Sequence, residues 1–133
     1  KGKIEPSASE ANVLSIDLVP TLLTTVGGKP TPDMRGLNLL DDSAVNGRST
    51  IFGEVFEHNA VDIHDPASSL QYRWVVSGNW KLIVPAPPRI PNGRVELYDL
   101  ARDPHEETNL ADRQPQEITW LTKLLDEWWR PGK

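Results

Sequence analysis

Residues 71–84 read Gln-Tyr-Arg-Trp-Val-Val-Ser-Gly-Asn-Trp-Lys-Leu-Ile-Val. The β-branched and aromatic residues in this stretch favour extended backbone, and the Ser-Gly-Asn step at residues 77–79 is typical of a turn. The pattern predicts two antiparallel strands, residues 71–76 and 80–84, that are joined by a tight turn. This hairpin is the centre from which the other elements are assigned.

Two further strands flank the hairpin in the sequence. Residues 49–56 and 94–100 contain the same apolar and aromatic residue types, which favour strands. The connections are a polar loop at residues 57–68 and a Pro-rich loop at residues 85–93. Because neighbouring strands with short connections pair with each other, the pattern predicts a four-stranded antiparallel sheet.

One helix is predicted on each side of these strands. The first carries apolar residues over 16–26 and ends at Gly27-Gly28, after which residues 29–48 are predicted as a loop. The second begins near Pro115 and repeats apolar residues at spacings of 3, 4 and 3, namely Ile118, Leu121, Leu125 and Trp128. The fold class predicted is therefore α+β, with the sheet packed by the C-terminal helix and preceded by the N-terminal helix.

Composition excludes several classes of protein. The 133 residues include 14 Lys and Arg against 19 Asp and Glu, so the formal net charge is −5. An acidic surface is repelled by phosphates, which argues against a nucleic-acid partner. The absence of cysteine excludes disulfides, thiolate metal sites and a cysteine nucleophile. No apolar run reaches the 18 residues or so that a membrane helix needs.

The stretch Glu-Leu-Tyr-Asp-Leu-Ala-Arg-Asp-Pro-His-Glu-Glu-Thr-Asn-Leu occupies residues 96–110. Asp103 precedes Pro104, so its carboxylate is predicted to accept backbone N–H groups at a tight turn. Asn109 is a residue type that tolerates positive φ, which would allow Leu110 to return to the core. The residues themselves therefore indicate a structural role for this stretch rather than ligand contact.

This stretch closely resembles the C-terminal signature of the sulfatase family, ELYDL-x-x-DP-x-E-x-x-NL. Upstream, SIDLVPTLL at residues 15–23 and the pair YRW and WKLI in the hairpin also resemble that family, as do residues 1–4. The resemblance implies that residues 1–133 are the C-terminal part of a sulfatase. Residues 1–48 would be a connecting loop, a helix and a loop, and residues 49–133 the sheet with the C-terminal helix. The start at Lys1 agrees with a piece of a longer protein.

The resemblance also implies the chemistry of the parent enzyme. Sulfatases hydrolyse sulfate esters with formylglycine, made from Cys or Ser in a Cys/Ser-x-Pro-x-Arg motif, and with calcium or another divalent ion. No Cys or Ser stands two residues before any of the 12 prolines, and the metal-binding Asp and Asn motifs are not matched. We therefore expect no catalytic residue, no metal ligand and no cofactor in this fragment, which would be inactive alone. Its partner would be the N-terminal catalytic domain of the same parent chain, and the resemblance is compatible with an exported parent.

Candidate site residues lie in the polar loop after the first predicted strand. The resemblance places the C-terminal subdomain beside the substrate cleft, so Glu57, His58 and His64 are candidates for contact with a sulfated small molecule or carbohydrate. Arg73 is a fourth candidate because a sulfated substrate is an anion. The spacing of the two histidines matches no strong metal motif, and a solvated polar loop is the alternative for these residues, as cross-strand pairing is for Arg73.

Other readings stay open at this point. The strand and helix positions of the five tryptophans favour core packing, although a Trp exposed on a surface often stacks on sugars. Trp129, which lies off the helical stripe, is the one singled out for such a role. The chain could thus be a non-catalytic carbohydrate-binding or interaction module, or part of a related phosphonate or phosphate monoester hydrolase. The apolar helix predicts either an exposed patch near Leu18, Leu22 and Leu23 or self-association of the fragment that covers it.

Overall fold

The computed structural model describes residues 8–131, and the similarity assigned above to residues 1–4 lies outside that part of the chain. The chain divides into two compact units, Lys1–Ser49 and Thr50–Lys133. Short 3-10 turns cover Ser15–Asp17 and Pro66–Ser69. The helices and strands are α1 (Leu18–Thr25), α2 (Asp42–Gly47), β1 (Thr50–Phe56), β2 (Leu70–Ser77), β3 (Trp80–Pro85), β4 (Glu96–Asp99) and α3 (Pro115–Trp128).

The sheet is an antiparallel meander in which strands adjacent in the chain are adjacent in space, in the order β1-β2-β3-β4. The predicted hairpin forms between β2 and β3, where Val75 lies opposite Leu82. Gly78 in its turn has a φ of 56°, a left-handed conformation that glycine adopts at little cost. The predicted α+β class with a four-stranded antiparallel sheet is confirmed.

The core of the second unit lies between α3 and one face of the sheet. Leu121 and Leu125 are four residues apart on α3, so they project from the same side of the helix, as the predicted apolar stripe requires. Side chains alternate between faces along a strand, so every second residue of β2 and β3 points toward this helix and the others point away from it. The fully buried members of the core are Val75, Leu82, Leu97, Leu121 and Leu125.

One helix was missed by the sequence prediction, which assigned residues 29–48 to a loop. Residues 42–47 form α2, and the carboxylate of Asp41 caps it by accepting a hydrogen bond from the Ala44 amide at 3.1 Å. A helix of six residues is less than two turns long, so it shows no apolar periodicity by which the sequence could reveal it.

Two elements begin two residues later than predicted. The α-helical hydrogen bonds begin at Leu18 rather than near residue 16, because residues 15–17 form a tighter 3-10 turn first. The last strand covers Glu96–Asp99 instead of residues 94–100. After Asp99 the chain turns at once, since the Asp99 carbonyl accepts the amide of Asp103 at 2.8 Å.

Asp17 is the buried centre of the first unit. Its side chain is inaccessible to solvent and accepts hydrogen bonds from the amides of Leu14 at 2.7 Å and Leu37 at 2.8 Å. The guanidinium of Arg48 contacts both carboxylate oxygens, at 3.0 and 2.6 Å. These donors, with Arg48 the largest influence, lower the pKa of Asp17 from 3.8 to about 2. One carboxylate thus joins three segments of the unit.

The apolar residues of α1 are largely exposed within this structure. Leu18 is 54% exposed and Leu22 is 65% exposed, whereas Leu23 is half-buried. The predicted apolar patch is therefore present at Leu18 and Leu22. Among the helices of residues 8–131, none combines the length and apolar character required to span a bilayer.

Candidate functional site

The loop that carries most of the candidate residues follows β1 and closes on Ser69. The carbonyl of Ser69 accepts a hydrogen bond from the Glu57 amide at 2.8 Å, and its hydroxyl oxygen accepts one from the Val61 amide at 2.9 Å. Ser69 itself is buried, with 5% of its surface exposed. Because Ser69 is buried and accepts hydrogen bonds from both amides, it fixes the backbone at the start of the loop, Glu57, and at the start of its tip, Val61.

Arg89, from the loop between β3 and β4, holds the same region from a second side. Its Nε donates to the carbonyl of Ser68 at 2.7 Å, and its Nη1 lies 3.7 Å from Oε2 of Glu57. The candidate residue Glu57 is therefore placed at the base of the loop, in a half-buried ion pair. The roles of Ser69 and Arg89 were not predicted, because partners so distant in sequence leave no local pattern.

His58 and His64 lie on the exposed part of this loop. The carboxylate of Asp62 accepts the backbone amide of His64 at 2.8 Å, which supports a turn at that residue. Val61 is 54% exposed and Ile63 is 79% exposed, so the tip presents apolar side chains beside the two imidazoles. Over residues 8–131, no group of three or more His, Asp or Glu side chains is arranged to hold a metal ion.

The fourth candidate, Arg73, lies on the face of β2 that packs against α3. Its Nη1 donates to the carboxylate of Asp126 at 3.0 Å and to the carbonyl of Trp129 at 2.6 Å. The guanidinium therefore ties β2 to the end of α3, and this placement accounts for the residue without a ligand. A depression of about 550 Å³ is lined by Arg73 and Asp126 together with Asp65 and Arg130. Contact of Arg73 with a substrate stays a prediction.

The signature turn has the structural role that its sequence predicted. Asp103 accepts the amides of Glu107 at 3.1 Å and Thr108 at 2.8 Å, and these two donors lower the pKa of its carboxyl below the usual range. The expectation that Asn109 adopts positive φ is wrong. Among the described residues, the non-glycine residue with positive φ is Glu106, at 58°.

Asn109 acts through its side chain instead of its backbone. Its Oδ1 accepts the amides of Leu97 at 3.1 Å and Ala111 at 2.9 Å, and its Nδ2 donates to the carbonyl of Val95 at 3.1 Å. The side chain thereby continues the hydrogen bonding of β4 at the edge of the sheet. Leu110 then packs against the core, as predicted.

A second depression of about 550 Å³ lies on the face of the sheet opposite α3. At its rim the Nζ of Lys81 is 2.7 Å from both carboxylate oxygens of Glu106, the residue with positive φ. Nearby, the hydroxyl of Tyr98 donates to Glu96 at 2.7 Å, and this bond, with burial, raises the pKa of Tyr98 to about 12. The rest of the lining is mainly apolar, namely Ile51, Val55, Tyr72, Trp74, Val76, Ile83 and Leu100.

No protein-family model matches this chain. The structure is similar to a putative sulfatase from Bacteroides thetaiotaomicron, with a TM-score of 0.64 and 21% identity over 84% of this chain and 23% of that one. It is also similar to a 2-O GAG sulfatase, with a TM-score of 0.63 and 23% identity over 84% and 23% of the two chains. A third similar structure is the phosphonate monoester hydrolase of Agrobacterium radiobacter, with a TM-score of 0.55 and 23% identity over 83% and 23%.

The chain therefore has the fold of one part of these larger proteins and spans less than a quarter of the length of each. That share fits the C-terminal sulfatase subdomain indicated by the signature at residues 96–110. Sequence identities this low establish similarity of fold alone. The third protein is a hydrolase of phosphonate monoesters rather than a sulfatase, so this fold occurs with more than one activity.

Proposed function

We propose that this chain is the C-terminal subdomain of a sulfate ester hydrolase, in which it supports the catalytic domain and lines part of the substrate cleft. The observation that carries the proposal is the structural use of the signature. Asp103 and Asn109 hold the turn after β4 in a fold shared with sulfatases. Two independent features, a sequence signature and a fold, thus support the same family.

The residues of this chain would bind and orient rather than cleave. In such a parent enzyme, formylglycine and a divalent ion supply the nucleophile and the polarisation of the sulfate. Both would belong to the N-terminal catalytic domain, which is the partner we propose for this chain. The contribution here is the loop tip at His58 and His64, whose imidazole N–H groups can donate to sulfate or hydroxyl oxygens. Glu57 and Arg73 would complete the contacts from the base of the loop and from β2.

The anchoring of the loop supports this assignment. A recognition loop has to hold its donors in place before the substrate arrives, because ordering them on binding costs free energy. Ser69 and Arg89 do this by fixing the backbone on both sides of the tip. The imidazoles of His58 and His64 make no hydrogen bond or ion pair within residues 8–131, so both are open to a ligand.

A second candidate is a phosphonate or phosphate monoester hydrolase, which the third structural match favours. The two functions differ in the nucleophile of the parent rather than in this chain. A Cys/Ser-x-Pro-x-Arg motif upstream supports the sulfatase, and a Thr nucleophile supports the alternative.

The test uses the full-length parent and the three histidines that lie in this chain. His58→Ala and His64→Ala are expected to lower kcat/KM for sulfated oligosaccharides about tenfold, whereas a small aryl sulfate, which we expect to be too short to contact the loop, should keep its rate. His105→Ala is the matched control, because His105 is also exposed but lies in the signature turn.

Two results would overturn the proposal. One is a parent that hydrolyses phosphonate or phosphate monoesters and no sulfate ester. The other is a loop variant whose kinetics match those of His105→Ala on every substrate. Turnover of an aryl sulfate by the 133-residue chain alone would contradict the assignment of catalysis to the N-terminal domain.

A further inference from the structure

Four aromatic rings form a continuous surface where β1 meets the end of α3. Phe52 stacks on Trp128 with ring centres 5.1 Å apart and planes 6° from parallel. Trp128 meets Trp129 edge-on at 6.4 Å, and Trp129 contacts Phe56 at 6.2 Å. We call Phe52, Phe56, Trp128 and Trp129 the aromatic platform.

The platform is packed on one side and open on the other. Phe52 is half-buried and packs against the core, which leaves one ring face of Trp128 committed to Phe52. Trp128 is nevertheless 37% exposed and Phe56 is 38% exposed. Rings of this size are usually buried more completely, so solvent exposure of two rings of one cluster, joined through Trp129, is an unusual surface for a protein.

A carboxylate lies in the middle of this surface. Glu54 is between Phe52 and Phe56 on β1, and because strand side chains alternate, all three project from the same face. No ion pair to Glu54 is formed within the part of the chain that the structure describes, 8–131. Partial burial by the neighbouring groups raises the pKa of its carboxyl above the usual range. Arg73 lies directly opposite Glu54 in the β1–β2 register, but its guanidinium pairs with Asp126, so the Glu54 carboxylate is an acceptor with no ion-pair partner among residues 8–131.

The two arginines beside the platform share one carboxylate as their ion-pair partner. Arg73 pairs with Asp126 at 3.0 Å, and Arg130 pairs with the other oxygen of the same carboxylate at 3.4 Å. The positive charges of Arg73 and Arg130 and the negative charges of Asp126 and Glu54 sum to a local formal charge of zero. The platform therefore offers an anionic group no unpaired cation among residues 8–131, and a sulfate that reached Arg73 would compete with Asp126 for its guanidinium.

We propose that the aromatic platform binds a neutral pyranose ring of a glycan. The apolar C–H face of the sugar stacks on Trp128 and Phe56, and the carboxylate of Glu54 accepts hydrogen bonds from hydroxyl groups at the ring edge. A neutral sugar satisfies both features at once: it covers exposed aromatic rings, and it supplies O–H donors to a carboxylate that would be costly to bury unpaired. This site is separate from the loop tip and does not depend on the hydrolase proposal.

The test is a titration of the chain with neutral hexasaccharides, cellohexaose and maltohexaose, followed by the indole N–H signals in two-dimensional NMR. We expect a saturable shift of Trp128 and Trp129 with at least one of the two sugars. Phe56→Ala and Trp128→Ala should weaken that binding about threefold to tenfold, the range that aromatic contacts provide. Trp128→Phe keeps an aromatic ring stacked on Phe52, so it serves as a second variant in case Trp128→Ala does not fold.

The matched control is Trp120→Ala. Trp120 is on the same helix and is 42% exposed, but it belongs to none of the ring contacts of the platform. Its removal should leave the affinity unchanged, and a sulfated form of the same hexasaccharide should bind no more tightly than the neutral one. The proposal is overturned if neither sugar shifts the indoles, if Trp120→Ala weakens binding as much as Trp128→Ala, or if only a cation such as tetramethylammonium binds the rings.

Discussion

Replacing Asp17 with Asn tests whether one buried ion pair holds the first unit together. The substitution keeps the size of the side chain but removes its charge and one of its two acceptor oxygens. The amides of Leu14 and Leu37 and the guanidinium of Arg48 all donate to this carboxylate in the structure. In the variant at least one donor loses its acceptor, and the guanidinium loses its counter-charge.

Two independent figures bracket the cost. The pKa of Asp17 falls from 3.8 to about 2, a difference of 3.8 − 2 = 1.8 pH units, which corresponds to about 2 kcal/mol. Removing one member of a buried pair costs about 3–5 kcal/mol because the other charge stays buried. We therefore expect Asp17→Asn to destabilise the first unit by about 2–5 kcal/mol. At about 1.36 kcal/mol per tenfold, the equilibrium constant for opening of this unit rises about thirtyfold or more.

The same pair predicts an acid dependence with a definite sign. The folded-state pKa of Asp17 lies below its unfolded value, so the carboxylate stabilises the fold above about pH 4. That contribution is lost as the pH falls from 4 toward 2, where the folded form takes up its proton. Asp17→Asn should remove this part of the acid sensitivity.

Amide hydrogen exchange measured by NMR is the suitable assay. Every Trp and Tyr of the chain lies in the second unit, so fluorescence does not report on the first. The amide of Leu37, which donates to the Asp17 carboxylate, should exchange at least about thirtyfold faster in the variant. Asp41→Asn is the control, because Asp41 is exposed and Asn caps a helix as well as Asp does. Unchanged protection of Leu37 in Asp17→Asn, or equal loss in Asp41→Asn, would refute the reasoning.

Two further predictions concern the second unit. The pKa of Tyr98 is raised to about 12, so an absorbance titration at alkaline pH should show this tyrosine ionising late. The neutral form of Tyr98 stabilises the fold below about pH 10, and this contribution is lost as the pH rises through about 12. Glu96→Gln should lower the pKa of Tyr98. Asn109→Ala should lower the free energy of unfolding by about 1–3 kcal/mol, because the amide of Leu97 loses its acceptor; urea unfolding followed by Trp fluorescence measures this change. Asn92→Ala, at an exposed site, is the control and should change little. Equal effects of the two variants would contradict the role of Asn109 at the edge of the sheet.

Much of the fold could be predicted because its signals are local. The hairpin at residues 71–84 combines strand-forming residues with a Gly turn, and the stripe on α3 repeats with a helical period. The turn chemistry of Asp103 was predictable for the same reason, since its partners are four and five residues away. The six residues of α2 escaped prediction because a cap on a very short helix leaves too weak a pattern.

The contacts of the candidate residues were predictable only in part. The sequence placed the histidines in a polar loop and left Arg73 open between an anionic substrate and cross-strand pairing, but it did not supply the partner of Arg73. In the structure Arg73 pairs with Asp126, 53 residues away. The aromatic platform was likewise beyond the sequence, although Phe52, Glu54 and Phe56 alternate at the period that places side chains on one face of a strand.

By itself, the sequence determined the α+β class, the meander of strands, the apolar face of α3 and the resemblance to sulfatases, because propensity, periodicity and a motif are each written within a few consecutive residues. The tertiary structure alone decided which charges meet. Asp17 and Arg48 are 31 residues apart, and Lys81 and Glu106 are 25 apart. Coulomb and hydrogen-bond energies depend on distance in space, and only the folded chain brings such groups within 3 Å or so of each other.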